Sequence, residues 1–168
     1  MLPRGLFRIA LMLLLAGSAV AAQQKPVPTG QMSLPYGPTI TLEMAKKIAQ
    51  PALAEARKNN WTMAVAVVDP AGELVYFERM DNTQLGSITT AINKAKSAAR
   101  FKRPTKAFQD MVAAGGEGMR ALGLDGAMVV EGGIPLVMDG KIVGAIGASG
   151  GTSAQDGQCA KAAADSVK

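Results

Sequence analysis

Charged residues cluster where a predicted strand gives way to a loop, in the triplet Arg79-Met80-Asp81. Residues two apart on a strand point to the same side, so Arg79 and Asp81 could pair with each other or anchor a ligand between them. Lys94 and Lys96 follow on a predicted helix, whose basic run could equally be a solvated face. With Asp81 as a general base and Arg79 or Lys94 as an electrostatic stabiliser, the same residues could serve an enzyme.

Glycines frame the second candidate site, the segment Gly132-Gly133-Ile134-Pro135, which Glu131 precedes. Glycine lets the backbone approach a ligand or another chain without a Cβ in the way, although glycines also serve turns and bulges. Glu131 could be a pocket carboxylate, a general base or a solvated charge at a turn. We predict a ligand-binding hollow between this segment, the arginine triplet and the lysine helix, and the sequence singles out no catalytic residue.

Histidine is absent from the sequence, which removes the usual general base and the commonest metal and haem ligand. Catalytic triads and pairs that need histidine are therefore excluded, and no metal site is predicted. The single cysteine, Cys159, cannot form an internal disulfide. The glycines that follow Gly144 lack the spacing of a phosphate-binding loop.

Short apolar runs predict the strands that must position these residues. Two runs, residues 62–68 and 74–80, flank a turn, and three more lie between Gly126 and Asp156, where Asp139-Gly140 supplies the positive φ angles of a tight hairpin. Helical periodicity surrounds them in the order α-β-β-α-α-β-β-β-α. The predicted fold is α+β, a five-stranded antiparallel sheet covered by helices in a profilin-like layered sandwich.

The first residues have the features of a secretory signal peptide. Arg4 and Arg8 precede an apolar core, and Ala19-Val20-Ala21 supplies a cleavage signal. We predict a cleaved signal peptide over residues 1–21, an extended arm over 22–40 and one domain over 41–168. The mature protein would then be periplasmic or secreted, with no membrane span.

Charge and aromatic content disfavour nucleic acid as a partner. Cleavage would remove two arginines and no acidic residue, which lowers the formal net charge from +5 to +3. With four Phe, two Tyr and one Trp, the chain lacks the interleaved basic and aromatic residues that stack bases.

Several segments together resemble the GlcG/HbpS family of haem-binding or haem-degrading-type small proteins. The segments are VVDPAGELVYFERMDNT (67–83), SITTAINKAKSAA (87–99), GGIPLVMDGKIVGAIGASGG (132–151) and Gln155-Asp156. The resemblance runs over nearly all of the chain from about Thr41. It implies a helix-covered antiparallel sheet of five strands and a homo-oligomer, often an octamer.

The resemblance implies haem as the ligand, with lysine and arginine meeting its propionates. Without histidine, the iron would need another axial ligand, and the candidates are Tyr36, Tyr76, Cys159, Met63, Met80, a lysine or a hydroxyl. Met80 is the only methionine among these that lies inside a family motif.

Three functions therefore remain open on the sequence. The first is an exported protein that binds or senses haem or a related tetrapyrrole. The second is an enzyme acting on a small carboxylate or aromatic metabolite. The third is a structural oligomerisation module whose glycine-rich strand ends form subunit contacts.

Overall fold

One antiparallel sheet organises the protein, which the computed structural model describes over residues 33–167. Its strands are β1 (Ala64–Val68), β2 (Leu74–Arg79), β3 (Gly133–Met138) and β4 (Lys141–Ser149). They lie in the order β2-β1-β4-β3, and every neighbouring pair is antiparallel. The helices are α1 (Leu42–Lys58), α2 (Gly86–Phe101), α3 (Thr105–Ala114) and α4 (Ser153–Ala164), with a 3-10 helix at Gly116–Gly123.

The prediction of five strands was wrong, because the described residues form four. The missing strand is the first apolar run after Gly126, which is irregular here. Its backbone amides bond to helix side chains and not to a strand: Met128 donates its N–H to Ser97 Oγ (3.0 Å), and Glu131 donates its N–H to Gln109 Oε1 (2.9 Å). The α+β class and the antiparallel pairing are as predicted.

Helix α2 packs on one face of the sheet through small residues. Ala64, Ala66 and Val68 alternate along β1 and point toward a row of alanines on α2. Gly147 in β4 permits this close approach, because a Cβ at that position would overlap the carbonyl oxygen of Ala91. The glycine therefore serves helix-on-sheet packing in this part of the fold.

Helices α1 and α4 cover the opposite face, where Val65 and Val67 of β1 join the larger core cluster. Thr41 caps the start of α1, with its Oγ1 accepting the N–H of Met44 (3.3 Å). Pro51 lies inside α1 without dividing it.

The described part of the predicted arm pairs with β4 at Ile142, beyond the residues of β4 that pair with β1. Ile142 donates its N–H to the carbonyl of Pro35 (2.9 Å), and Gly37 donates its N–H to the carbonyl of Ile142 (2.8 Å). Lys102 fixes the arm from α2's C-terminal end, with its Nζ 4.2 Å from the centre of the Tyr36 ring. The predicted signal peptide, residues 1–21, and the arm up to residue 32 lie outside the described residues. Across residues 33–167, no helix combines the length and the apolar content that a bilayer span requires.

Candidate functional site

The two candidate segments lie at one end of the sheet but on opposite edges. Arg79 ends β2 and Gly133 begins β3, and β1 and β4 run between them. Since neighbouring strands lie about 4.8 Å apart, the two edges are separated by roughly 14 Å. The structure therefore does not gather the arginine triplet and the glycine segment into one hollow within a single chain.

Lys94 is fully engaged inside the protein. Its Nζ lies 2.6 Å from Asp156 Oδ2 and donates a hydrogen bond to the carbonyl of Ala148 (3.1 Å). The side chains of Lys94 and Asp156 are only 1% and 4% exposed. The pair joins α2, the end of β4 and the start of α4, so this lysine holds the layers together and has no free charge for a ligand.

Asp156 lies in the first turn of α4 but does not cap that helix. Thr152 caps α4 in a capping box with Gln155, whose side chain accepts the N–H of Thr152 (2.9 Å). Asp156 Oδ1 instead accepts the N–H groups of Gly150 (3.0 Å) and Gly151 (2.9 Å). The carboxylate is therefore held by two backbone amides and one ammonium.

The glycine segment makes room for Lys94. Gly132 has a φ of +125°, and a Cβ there would lie 2.9 Å from Lys94 Nζ. Gly133 packs against the backbone carbonyl of Lys94 and donates its N–H to Thr105 Oγ1 (2.9 Å). Ile134 is half-buried against the core and Pro135 is buried in the edge strand β3.

Glu131 is half-buried between α3 and α4. Burial raises the pKa of Glu131 above its ordinary value near 4.5, although the charge of Lys106 opposes the shift. Lys106 is itself paired with Asp110 (2.8 Å). A raised pKa suits a general base, but Lys94, one of the two cations proposed as its electrostatic partner, is already bound to Asp156. The enzyme hypothesis stays a prediction.

Arg79, Met80 and Asp81 line an open polar cleft of about 340 Å³. Arg57 and Glu78 complete its walls and form an ion pair at 3.8 Å. Among the described residues, Arg79 and Asp81 do not form the ion pair with each other that their spacing allowed. This cleft has the charges that a small anion requires but little apolar wall.

Most of the candidate iron ligands are occupied or buried. The Tyr76 hydroxyl donates to Glu78 Oε2 (2.5 Å), the Tyr36 hydroxyl donates to the carbonyl of Ala99 (3.0 Å), and Met63 is fully buried in the core. Burial raises the pKa of the Cys159 thiol to about 12, so it carries a proton at neutral pH. Met80 alone of the named candidates is half-buried and lines a cleft.

The sequence analysis missed an apolar cleft beside the start of α1. Two adjoining depressions of about 400 and 390 Å³ share Met44 and Met138, and we call them together the methionine cleft. Met138 ends β3 and pairs with Lys141 across the Asp139-Gly140 turn. Further lining residues are Pro38, Thr39, Ile40, Thr41, Lys47, Ile48, Pro51, Asp139, Lys141, Val143, Ser166 and Val167. The cleft thus combines apolar walls, two thioethers, two lysines and one carboxylate.

A second apolar cleft, of about 320 Å³, lies between α3 and the 3-10 helix. Phe108, Met111 and Leu124 line it, and the Arg103 guanidinium lies 5.1 Å from the centre of the Phe108 ring. It has one methionine where the methionine cleft has two.

The fold defines a small α+β protein with one antiparallel sheet between helices. A family model described as "Haem degrading protein HbpS-like" matches residues 40–165. This chain belongs to that family, which confirms the resemblance read from the sequence motifs.

Individual relatives agree with this assignment. Protein GlcG of Escherichia coli is 41% identical over 110 residues, which are 66% of this chain and 81% of that protein. A crystal structure of an HbpS double mutant from Streptomyces reticuli superposes with a TM-score of 0.71 at 29% identity, covering 80% of this chain and 91% of that one. A PduOC:haem complex superposes with a TM-score of 0.69 at 26% identity, covering 77% and 96%.

The buried ion pair predicts a large stability loss when one partner is removed. We expect Lys94→Met and Asp156→Asn each to lower the free energy of unfolding by about 3–5 kcal/mol, because the remaining charge stays buried without its partner. Urea denaturation measures this. Lys161→Met breaks the exposed pair with Asp165 and should cost less than about 1 kcal/mol. A Lys94→Met variant as stable as Lys161→Met would contradict the role given to the pair.

The raised pKa of Glu131 predicts a pH-dependent difference in stability. The native state holds this proton more tightly than the unfolded chain, so its contribution to stability falls as the pH rises from the ordinary value through the raised one. We expect Glu131→Gln to gain stability relative to the wild type as the pH rises above the ordinary pKa of a glutamate. Urea titrations at several pH values test this, and a difference that is constant with pH would refute it.

Proposed function

We propose that this protein binds haem or a related tetrapyrrole, and that the methionine cleft is the site. The proposal is supported by the family description and by the haem complex of the PduOC neighbour. The observation that carries it is the composition of the cleft: apolar walls, two methionines and one lysine in each depression. Such a protein would serve as a binding or sensing protein.

The cleft residues fit the chemistry of the ligand. A haem has a flat apolar face and two anionic propionates, so a site needs apolar walls and cations at their rim. Ile48 and Val143 supply apolar wall, and Lys47 and Lys141 are exposed cations on the rim. Each depression lies within the usual size of small-molecule pockets, roughly 300–1,000 Å³. When bound, haem would supply redox and ligand-binding chemistry at its iron.

Arg79, Met80 and Asp81 remain the competing site. Their cleft offers two arginine charges, including that of Arg57, but its lining is polar and Lys94 cannot contribute. Glu131 and the glycine segment lie against Lys94 at the other sheet edge, so they support that competing site only if another chain brings the two edges together.

Charge reversal at the rim tests the assignment. We expect Lys47→Glu combined with Lys141→Glu to weaken haem binding on the order of tenfold, since each reversed surface charge is worth roughly 1 kcal/mol. The growth of the Soret band on titration with haem reports the affinity. Lys46→Glu is the matched control, because Lys46 is exposed on the same helix but does not line the cleft.

Two results would overturn the proposal. A spectrum unchanged at micromolar haem would remove haem binding itself. If Arg79→Glu weakens haem binding and the lysine double variant does not, the binding site is the arginine triplet and not the methionine cleft.

We further propose that the protein is exported, with residues 1–21 removed, and that it assembles as an octamer in the periplasm. The support is the signal-peptide pattern and the family resemblance. Native mass spectrometry of protein recovered from the periplasm should give eight copies of a shortened chain. A monomer would contradict the proposed octamer. A chain that keeps residues 1–21 would contradict the proposed cleavage.

A further inference from the structure

The chain has ten methionines and no histidine, so methionine sulfur atoms are candidate iron ligands that stay available at neutral pH. The thiol of Cys159 stays protonated, because burial raises its pKa to about 12. Both described tyrosine hydroxyls are donors in hydrogen bonds within the protein. The question is which thioethers are both accessible and fixed in position.

Met44 and Met138 satisfy both conditions. Met44 lies in the first turn of α1, where its backbone N–H bonds to Thr41 Oγ1 (3.3 Å). Met138 is the last residue of β3, in register with Lys141 of β4. Both side chains are half-buried, pack against the core cluster and line both depressions of the methionine cleft. Regular elements thus deliver two sulfur atoms to one apolar site.

We infer that Met44 and Met138 would hold the haem iron through their sulfur atoms, and that the protein would therefore bind ferrous haem more tightly than ferric haem. This inference rests on the proposed function. Thioether sulfur is a soft, uncharged donor, which favours the less charged ferrous ion. By linkage, tighter binding of the ferrous form raises the reduction potential of the bound haem. The sulfur pair would make the cleft selective for the oxidation state of the iron.

The test compares three probes on the full-length protein: ferrous haem under anaerobic conditions, ferric haem and metal-free protoporphyrin. We expect Met44→Leu with Met138→Leu to lose on the order of tenfold in ferrous affinity, with a smaller loss for ferric haem. Binding of metal-free protoporphyrin, read by its fluorescence, should not change, because leucine conserves volume and apolar character. The sulfur-to-iron charge-transfer band of the ferric complex should disappear.

Met80→Leu and Met111→Leu are the matched controls, because each removes a half-buried methionine that lines a different cleft. Both should leave the affinities and the spectrum unchanged. If either control removes the charge-transfer band while the double variant keeps it, the assignment to Met44 and Met138 is overturned.

The remaining outcomes separate the inference from the proposed function. If the wild type binds neither haem nor protoporphyrin, the proposed function fails and the inference falls with it. If all probes bind, and the double variant keeps the wild-type spectrum and the ferrous-to-ferric affinity ratio, the inference alone fails. Urea denaturation of each variant shows whether a loss of binding comes from unfolding.

Discussion

A buried ammonium group cannot stay charged without partners, and this requirement shapes the centre of the protein. Taking Lys94 and Asp156 out of water costs several kcal/mol per ion, which only close geometry and further hydrogen bonds can offset. The structure supplies both: a 2.6 Å contact between the charges, a carbonyl acceptor for the lysine and two amide donors for the carboxylate. Gly132 leaves the space through which the lysine reaches α4.

This ion pair also limits which side chains are free to contact a ligand. The lysine helix, the glycine segment and Asp156 are committed to holding the layers together, so they leave few groups free for a ligand at that sheet edge. Exposed cations elsewhere are not engaged in this pair, and the methionine cleft combines two of them with an apolar interior.

Short sequence patterns correctly predicted features that depend only on neighbouring residues, such as the turn of a hairpin. The Asp139-Gly140 hairpin forms as predicted, with positive φ at both residues. The first apolar run after Gly126 has the composition of a strand, but its amides are satisfied by Ser97 and Gln109. Such contacts depend on how the helices pack on the sheet, and no short sequence pattern predicts them.

The surroundings of the predicted site residues depend on the same kind of packing. The glycines before Ile134 were interpreted as space for a ligand, and that space is filled by a lysine from α2. Met44 and Met138 lie far apart in the chain, and Met44 lies outside the segments that carry the resemblance. Only the packing of α1 beside the β3-β4 turn brings them together.

The account depends most directly on iron bound by thioether sulfur in a protein without histidine. X-ray absorption at the iron edge of the ferrous haem complex would measure the donor atoms themselves. The account predicts sulfur in addition to the pyrrole nitrogens, and the loss of that sulfur when Met44 and Met138 are both leucine. A first shell of nitrogen and oxygen alone would contradict it.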